Sequence, residues 1–214
     1  LAGESNDSRQ RVRDTAGDVC THEGRLFCTY YCAVCGGRTT QGDEVFADAV
    51  PLLCSVECAW CSPAPLSTWQ AQIAKADLSE RLQKRFRSRG QEFGTLASIR
   101  PVSPNFEASE ARFTVSDGKH RYPLGASEIR TLLPAAKLHS PRFSIRENQD
   151  TFIFEGRGHG HGVGLCQWGA RGMSRAGHSA TEIVEHYYPG VRLMRLPTQA
   201  EPAKLASLAR PPER

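Results

Sequence analysis

No run of apolar residues in this 214-residue chain approaches the roughly 20 that a membrane-spanning helix needs. Position 1 is not methionine, and the opening stretch Gly3-Glu4-Ser5-Asn6-Asp7-Ser8 is polar where a secretory leader would be apolar. The chain is therefore expected to be a fragment or a processed product, with any export signal or anchor upstream of Leu1. An excess of either charge is lacking as well. The net charge is +4, a mild bias compatible with an acidic polymer as partner. No basic stripe interleaved with aromatics runs along the chain, which argues against nucleic acid. No internal repeat is present.

What is there is unevenly placed. Of the eight cysteines, all but Cys166 fall between Cys20 and Cys61. The others, at 20, 28, 32, 35, 54, 58 and 61, are odd in number, so they cannot close as disulfides among themselves. Cys32-Ala33-Val34-Cys35 and Cys58-Ala59-Trp60-Cys61 are two CxxC pairs, and Gly36-Gly37 frees the backbone after the first. Two such pairs supply the four thiolates of a closed structural zinc site, so Cys32, Cys35, Cys58 and Cys61 are the expected ligands. Two disulfides or a redox motif are the alternatives, although a redox pair comes singly, near a βαβ pattern. A closed shell leaves no open position, so such a metal would hold structure and do no chemistry. Cys20, Cys28 and Cys54 are expected as buried small hydrophobes.

Periodicity places the elements. Val19 to Tyr31 alternates around Gly24 as two strands with a turn. Ser62-Pro63-Ala64-Pro65 marks a boundary. Asp77-Leu78-Ser79-Glu80 has the form of a capping box, followed by Leu78, Leu82 and Phe86 at helical spacing. Strand-like runs follow at Thr95–Val102 and Arg112–Val115, with a hairpin signal at Asp117-Gly118. A short helix is expected over Ser127–Leu133, then paired strands at Phe143–Ile145 and Thr151–Phe154. Helices are predicted over Leu165–Ala176, closed by Gly177, and over Ala180–Tyr188, stopped by Pro189-Gly190. These elements predict an α+β fold, with curved antiparallel strands lining a cleft and a C-terminal helix pair. Four segments are expected: a core part over 1–65 with the zinc site, an inserted α/β lobe over 66–142, the rest of the core over 143–195, and a disordered tail over 196–214.

Between the last strand and the next helix lies Gly158-His159-Gly160-His161-Gly162-Val163-Gly164-Leu165-Cys166-Gln167-Trp168-Gly169-Ala170. Glycine lets the backbone come close to a bound molecule or take positive φ. Histidine moves protons near neutral pH. The loop reads as the floor of a binding cleft. His161 is either a functional group there or a structural histidine bonded to a nearby carbonyl. His159 and His161, two apart on extended chain, would share one side, where Glu155 is the nearest third metal ligand.

The run from Gly158 to Met173, followed by Ala176-Gly177, Glu182-Ile183-Val184-Glu185-His186-Tyr187-Tyr188-Pro189-Gly190 and Leu193, resembles the end of the stage II sporulation protein D (SpoIID/LytB) family. Tyr30–Thr39, Glu44-Val45-Phe46 and Ser55–Cys61 resemble its upstream segments, the last of these in zinc-bearing members. The family's catalytic glutamate sits on an early helix in a Pro-x-Glu-Ala segment, and no such segment occurs here, so that residue is expected upstream of Leu1. The resemblance implies a lytic transglycosylase that cleaves peptidoglycan between N-acetylmuramic acid and N-acetylglucosamine. His161 and Gln167 would then support catalysis, and Gly160, His161, Gly162, Gly164 and Gln167 would line the sugar site. Tyr187 and Tyr188 would offer a sugar an aromatic face or pack in the core. Cys166 would be packed and inert. The alternative within the family is a non-catalytic peptidoglycan-binding module that enhances a cell-wall amidase. Either role implies glycan strands as partner and an extracytoplasmic location.

Overall fold

The computed structural model describes residues 5–102 and 110–196. The elements in chain order are α1 (Asn6–Asp14), β1 (Asp18–His22), β2 (Arg25–Leu26), β3 (Tyr31–Cys32), β4 (Thr68–Ala74), α2 (Lys75–Arg87), β5 (Ser98–Pro101), β6 (Arg112–Ser116), β7 (Arg121–Gly125), α3 (Ala126–Leu132), β8 (Phe143–Glu147), β9 (Thr151–Arg157), β10 (Leu165–Cys166), α4 (Gln167–Arg175), α5 (Ala180–Tyr187) and β11 (Arg192–Arg195). Three antiparallel sheets form, in the orders β11-β1-β2, β4-β9-β8 and β5-β6-β7, and a parallel pair joins β10 to β3. The mixed α+β class expected from periodicity is the one observed. No described helix is long and apolar enough to cross a membrane.

Two apolar clusters hold these elements. One gathers Trp69, Leu82, Phe86, Phe113, Phe143 and Phe154; the other gathers Val34, Leu53, Val163, Met173, Ile183 and Tyr187. Phe143, Phe152 and Phe154 belong to the first cluster, with Trp69 and Phe113. The reason is register. β9 pairs with β4 from Thr68↔Arg157 to Ala74↔Thr151, which brings Phe152 and Phe154 to the β4 residues of that cluster.

Helix α2 buries Leu78, Leu82 and Phe86, which lie one above another at four-residue spacing. The expected capping box is not formed. The helix begins at Lys75, with Ala74 as N-cap and no side-chain cap. Lys75 N donates to the Asp150 carbonyl at 3.0 Å, which turns the chain into the helix before Asp77 is reached. The Ser79 hydroxyl accepts instead from Leu96 N at 2.9 Å. Helix α5 does carry a capping box, closed by Ser179 and Glu182.

The expected strand start at Thr95 and helix start at Leu165 also shift. Leu165 and Cys166 form β10, and α4 starts at Gln167. Residues Asn6–Asp14 form α1, which has no buried residue. The tail expected over 196–214 lies outside the described residues apart from Leu196.

Candidate functional site

Strand β9 ends at Arg157 and the glycine loop begins. Gly158, Gly160, Gly162 and Gly164 all have positive φ, at 78°, 101°, 82° and 69°. Alternating reversals of this kind cost an L-residue roughly 1–2 kcal/mol each, and glycine almost nothing. They fold the loop against the segment from Tyr30 to Thr40. Val34 N donates to His159 O at 3.2 Å, Thr40 N to Gly162 O at 2.9 Å and Leu165 N to Tyr30 O at 3.1 Å. At Gly164 the approach is closest: a Cβ there would stand 2.0 Å from the Tyr30 carbonyl oxygen. The glycines therefore serve backbone packing within the protein. Gly158, Gly162 and Gly164 are buried, Gly160 and His161 half-buried, and His159 and Gln167 exposed.

His161 is tied into this packing. Its Nδ1 accepts from Val163 N at 3.1 Å, which puts the ring proton of the neutral form on Nε2. Its ring meets Phe46 edge-on at 5.0 Å between centroids. Burial holds its pKa below the ordinary histidine value, partly opposed by a backbone hydrogen bond with Tyr31. His159 meets the half-buried His139 at 5.2 Å between ring centroids. Gln167 opens α4, and its side-chain amide has no hydrogen-bond partner among the described residues. Tyr187 and Tyr188 are buried, so packing is their use; the Tyr188 hydroxyl donates to Tyr30 O at 2.7 Å. Glu155 is exposed and paired with Arg146 at 3.0 Å.

Behind the loop lies a cluster of thiols. The Sγ atoms of Cys35, Cys58, Cys61 and Cys166 all lie within 4.8 Å of one another, and all four residues are buried. Four buried cysteines so placed can hold a metal ion. The set differs from the one read from the sequence: Cys166 belongs to it and Cys32 does not. Cys58 and Cys61 sit on a single 3-10 turn (Ala59–Cys61), where residues three apart eclipse. Cys32 lies in extended β3, where a residue and its third successor do not share a face, so the first CxxC does not bite as a turn. Cys166 is the register partner of Cys32 across the parallel pair and fills the fourth position. It is also the N-cap of α4, and its Sγ accepts from Gly169 N at 3.3 Å and from Cys35 N at 3.2 Å. Amide donors and a helix N-terminus pull toward a thiolate there, but the hydrogen bond with Cys32 outweighs them and pushes the Cys166 thiol up to about 12.

Protons are unevenly shared in the cluster. Hydrogen bonds, that of Cys166 first, push Cys35 up and pull Cys61 down. The Tyr187 hydroxyl lies 3.1 Å from Cys58 Sγ. Arg142, buried, donates from Nη1 to the Arg38 carbonyl at 2.8 Å, and desolvation lowers its pKa against the pull of Cys35, Cys32 and Cys61. None of the eight cysteines is in a disulfide. Of the three expected as buried hydrophobes, Cys20 and Cys54 are half-buried and Cys28 is exposed. The sequence signal that could have found Cys166 is its place just before a helix start, facing a strand that carries another cysteine.

Comparison with known proteins gives two kinds of match. A protein-family model described as a domain of unknown function (DUF8618) matches residues 63–164. An uncharacterized protein of Brachyspira hyodysenteriae is 30% identical over 185 residues, which is 86% of this chain and 48% of the relative. Stage II sporulation protein D of Bacillus subtilis is 25% identical over 182 residues, 85% of this chain and 49% of the relative. The amidase enhancer of the same organism is 25% identical over 231 residues, 88% of this chain and 33% of the relative. The chain thus spans about half the length of the first two relatives, and a third of the last.

Proposed function

Since the chain belongs to the SpoIID/LytB family, we propose that it is part of a cell-envelope protein that grips peptidoglycan glycan strands along the outer edge of the glycine loop and cleaves them as a lytic transglycosylase. In this chemistry a neutral carboxylic acid protonates the glycosidic oxygen between N-acetylmuramic acid and N-acetylglucosamine. The resulting carboxylate takes the proton of the muramic C6 hydroxyl, whose oxygen bonds to C1 and closes a 1,6-anhydro ring. No water enters, unlike a two-carboxylate hydrolase. Near the loop Glu155 is paired with Arg146, and Glu57 with Arg38, so neither is assigned the acid. We assign that role to a glutamate outside the described residues.

The parts assigned here position the strand. Gly160 N donates to the His139 carbonyl, so the Gly160 carbonyl and the His161 N–H are the backbone groups offered to the sugar. His161 acts through the loop, since its Nδ1 is engaged by Val163. Gln167 reads an acetamido or hydroxyl group. The exposed, unpartnered Gln167 amide in the first turn of α4 is the observation that carries this reading.

We assign a structural zinc to Cys35, Cys58, Cys61 and Cys166. A tetrahedron of thiolates with Zn–S near 2.3 Å has edges of about 3.8 Å. The Cys35 and Cys61 sulfurs are 3.7 Å apart, which suits that edge. The ion would tie three segments together and hold the start of α4, and with it Gln167, in place.

The test uses the full-length protein and amidase-treated glycan strands. Anhydromuramic ends are expected by mass spectrometry. Gln167→Ala is expected to lower turnover roughly a hundredfold, as loss of a positioning contact does, with the melting temperature unchanged. Absence of anhydromuramic products, or equal loss of fold, sinks the assignment. The amidase-enhancer relative favours a second reading, a module that binds glycan without cutting it. Strands would then be bound intact, and added amidase would turn over faster.

A further inference from the structure

Trp60 stands in the turn between Cys58 and Cys61 and is 38% exposed, more than a lone indole usually is. Helix α4 is pressed against it. A Cβ at Gly172 would lie 2.7 Å from the Trp60 carbonyl oxygen, so only glycine permits this approach. Along α4, Trp168, Arg171, Gly172 and Arg175 recur at helical spacing and form one stripe. The stripe is not the core face, since the helix buries Gly169 and Met173.

Trp60, Trp168, Arg171 and Arg175 together line a cavity of about 270 Å³. Pockets for drug-sized ligands begin near 300 Å³, so this one suits a single ring. The Arg171 guanidinium lies 4.7 Å from the centroid of the Trp168 ring. The His178 ring meets Trp60 edge-on at 5.5 Å and supports it from one side. Among the described residues neither Arg171 nor Arg175 has an ion-pair partner. The Trp60 indole and two guanidiniums without an ion-pair partner, one of them stacked on Trp168, match a ligand with an apolar ring face and a negative charge.

We propose that this ledge is a saccharide subsite for an aminosugar that carries a carboxylate: the muramic residue of a strand freed of its peptide. The C–H face of the pyranose would lie on an indole, and the lactyl carboxylate would meet the arginines. The inference rests on the glycan reading given above, and it adds the residues that tell muramic acid from glucosamine. Trp168 directly follows Gln167 in the first turn of α4, so the ledge lies within one helical turn of the residue assigned to the glycan strand. Trp60 is carried by two cysteines of the thiol cluster, so whatever rigidifies that cluster also shapes the subsite.

Tryptophan fluorescence reads the ledge directly. Two of the three tryptophans are on it, and the third, Trp69, is buried. The full-length protein is titrated with peptide-free glycan strands and with chito-oligosaccharides of equal length, which lack the lactyl carboxylate. Wild type is expected to be quenched at concentrations at least about tenfold lower by the glycan strands, the scale of one charge-assisted contact. Arg171→Gln with Arg175→Gln is expected to abolish that preference with the fold intact, and lysine at both positions to restore part of it. Trp60→Ala is expected to remove most of the quench. A double glutamine variant that keeps the wild-type preference overturns the ledge and leaves the Gln167 reading standing. A wild type that binds neither polymer overturns both.

Discussion

His161 shows how one residue changes meaning between sequence and structure. Flanked by glycines it reads as a cleft group; in the fold its Nδ1 is an acceptor for Val163 N and its ring packs on Phe46. Its pKa is depressed, first by burial. A histidine lowered in the folded state binds fewer protons there than when unfolded. Its contribution to stability is then fully present above its ordinary value of 6.5 and is lost as pH falls through the lower folded value. Wild type is expected to exceed His161→Gln in denaturant-derived stability near pH 7, and that gap is expected to shrink as pH is lowered to about 5. His139, also lowered by burial, adds a background of the same sign in both proteins, so the difference isolates His161. A gap that does not change with pH would mean that the ring carries no buried neutral form.

Elements decide what single residues cannot, and the thiol set is the clearest case. Spacing treats the two CxxC pairs alike. One is a 3-10 turn and closes; the other runs through extended β3 and does not. The parallel pairing of β3 with β10 then supplies Cys166, which lies 131 residues from Cys35 in sequence. Cys166→Ala is expected to lose the metal from the purified protein, as measured by plasma emission. Cys32→Ala is expected to keep about one ion per chain. The reverse result would restore the shell read from spacing. Hairpins and helices were legible in the sequence because alternation and four-residue spacing are local. The start of α2 was not, because a contact with Asp150 sets it.

At the scale of the whole molecule, two apolar clusters share one chain, and the thiols belong to only one of them. β9 runs on into the glycine loop, and the Trp69 indole N–H donates to Gly158 O at 3.0 Å. If a metal braces only the cluster around Tyr187, a strong chelator is expected to lower one calorimetric transition and leave the other in place. A single transition that moves as a unit would show that the two clusters unfold cooperatively. The resemblance read from residues 30–61 and 158–193 covers the segments that carry the four converging thiols. The cluster around Trp69 was harder to see, because Phe143 and Phe154 are far from Trp69 in sequence and meet it only through strand pairing.

The amino-acid order alone determined the local elements, the glycine-rich loop and the kinship, since each depends on residues within a few positions of one another. Tertiary structure decided which four sulfurs converge, that the loop is packed against Tyr30–Thr40, and that Trp60, Trp168, Arg171 and Arg175 line one cavity. Those outcomes depend on which distant strands pair and at what register, and hydrogen bonding and burial settle that only when the whole chain has closed.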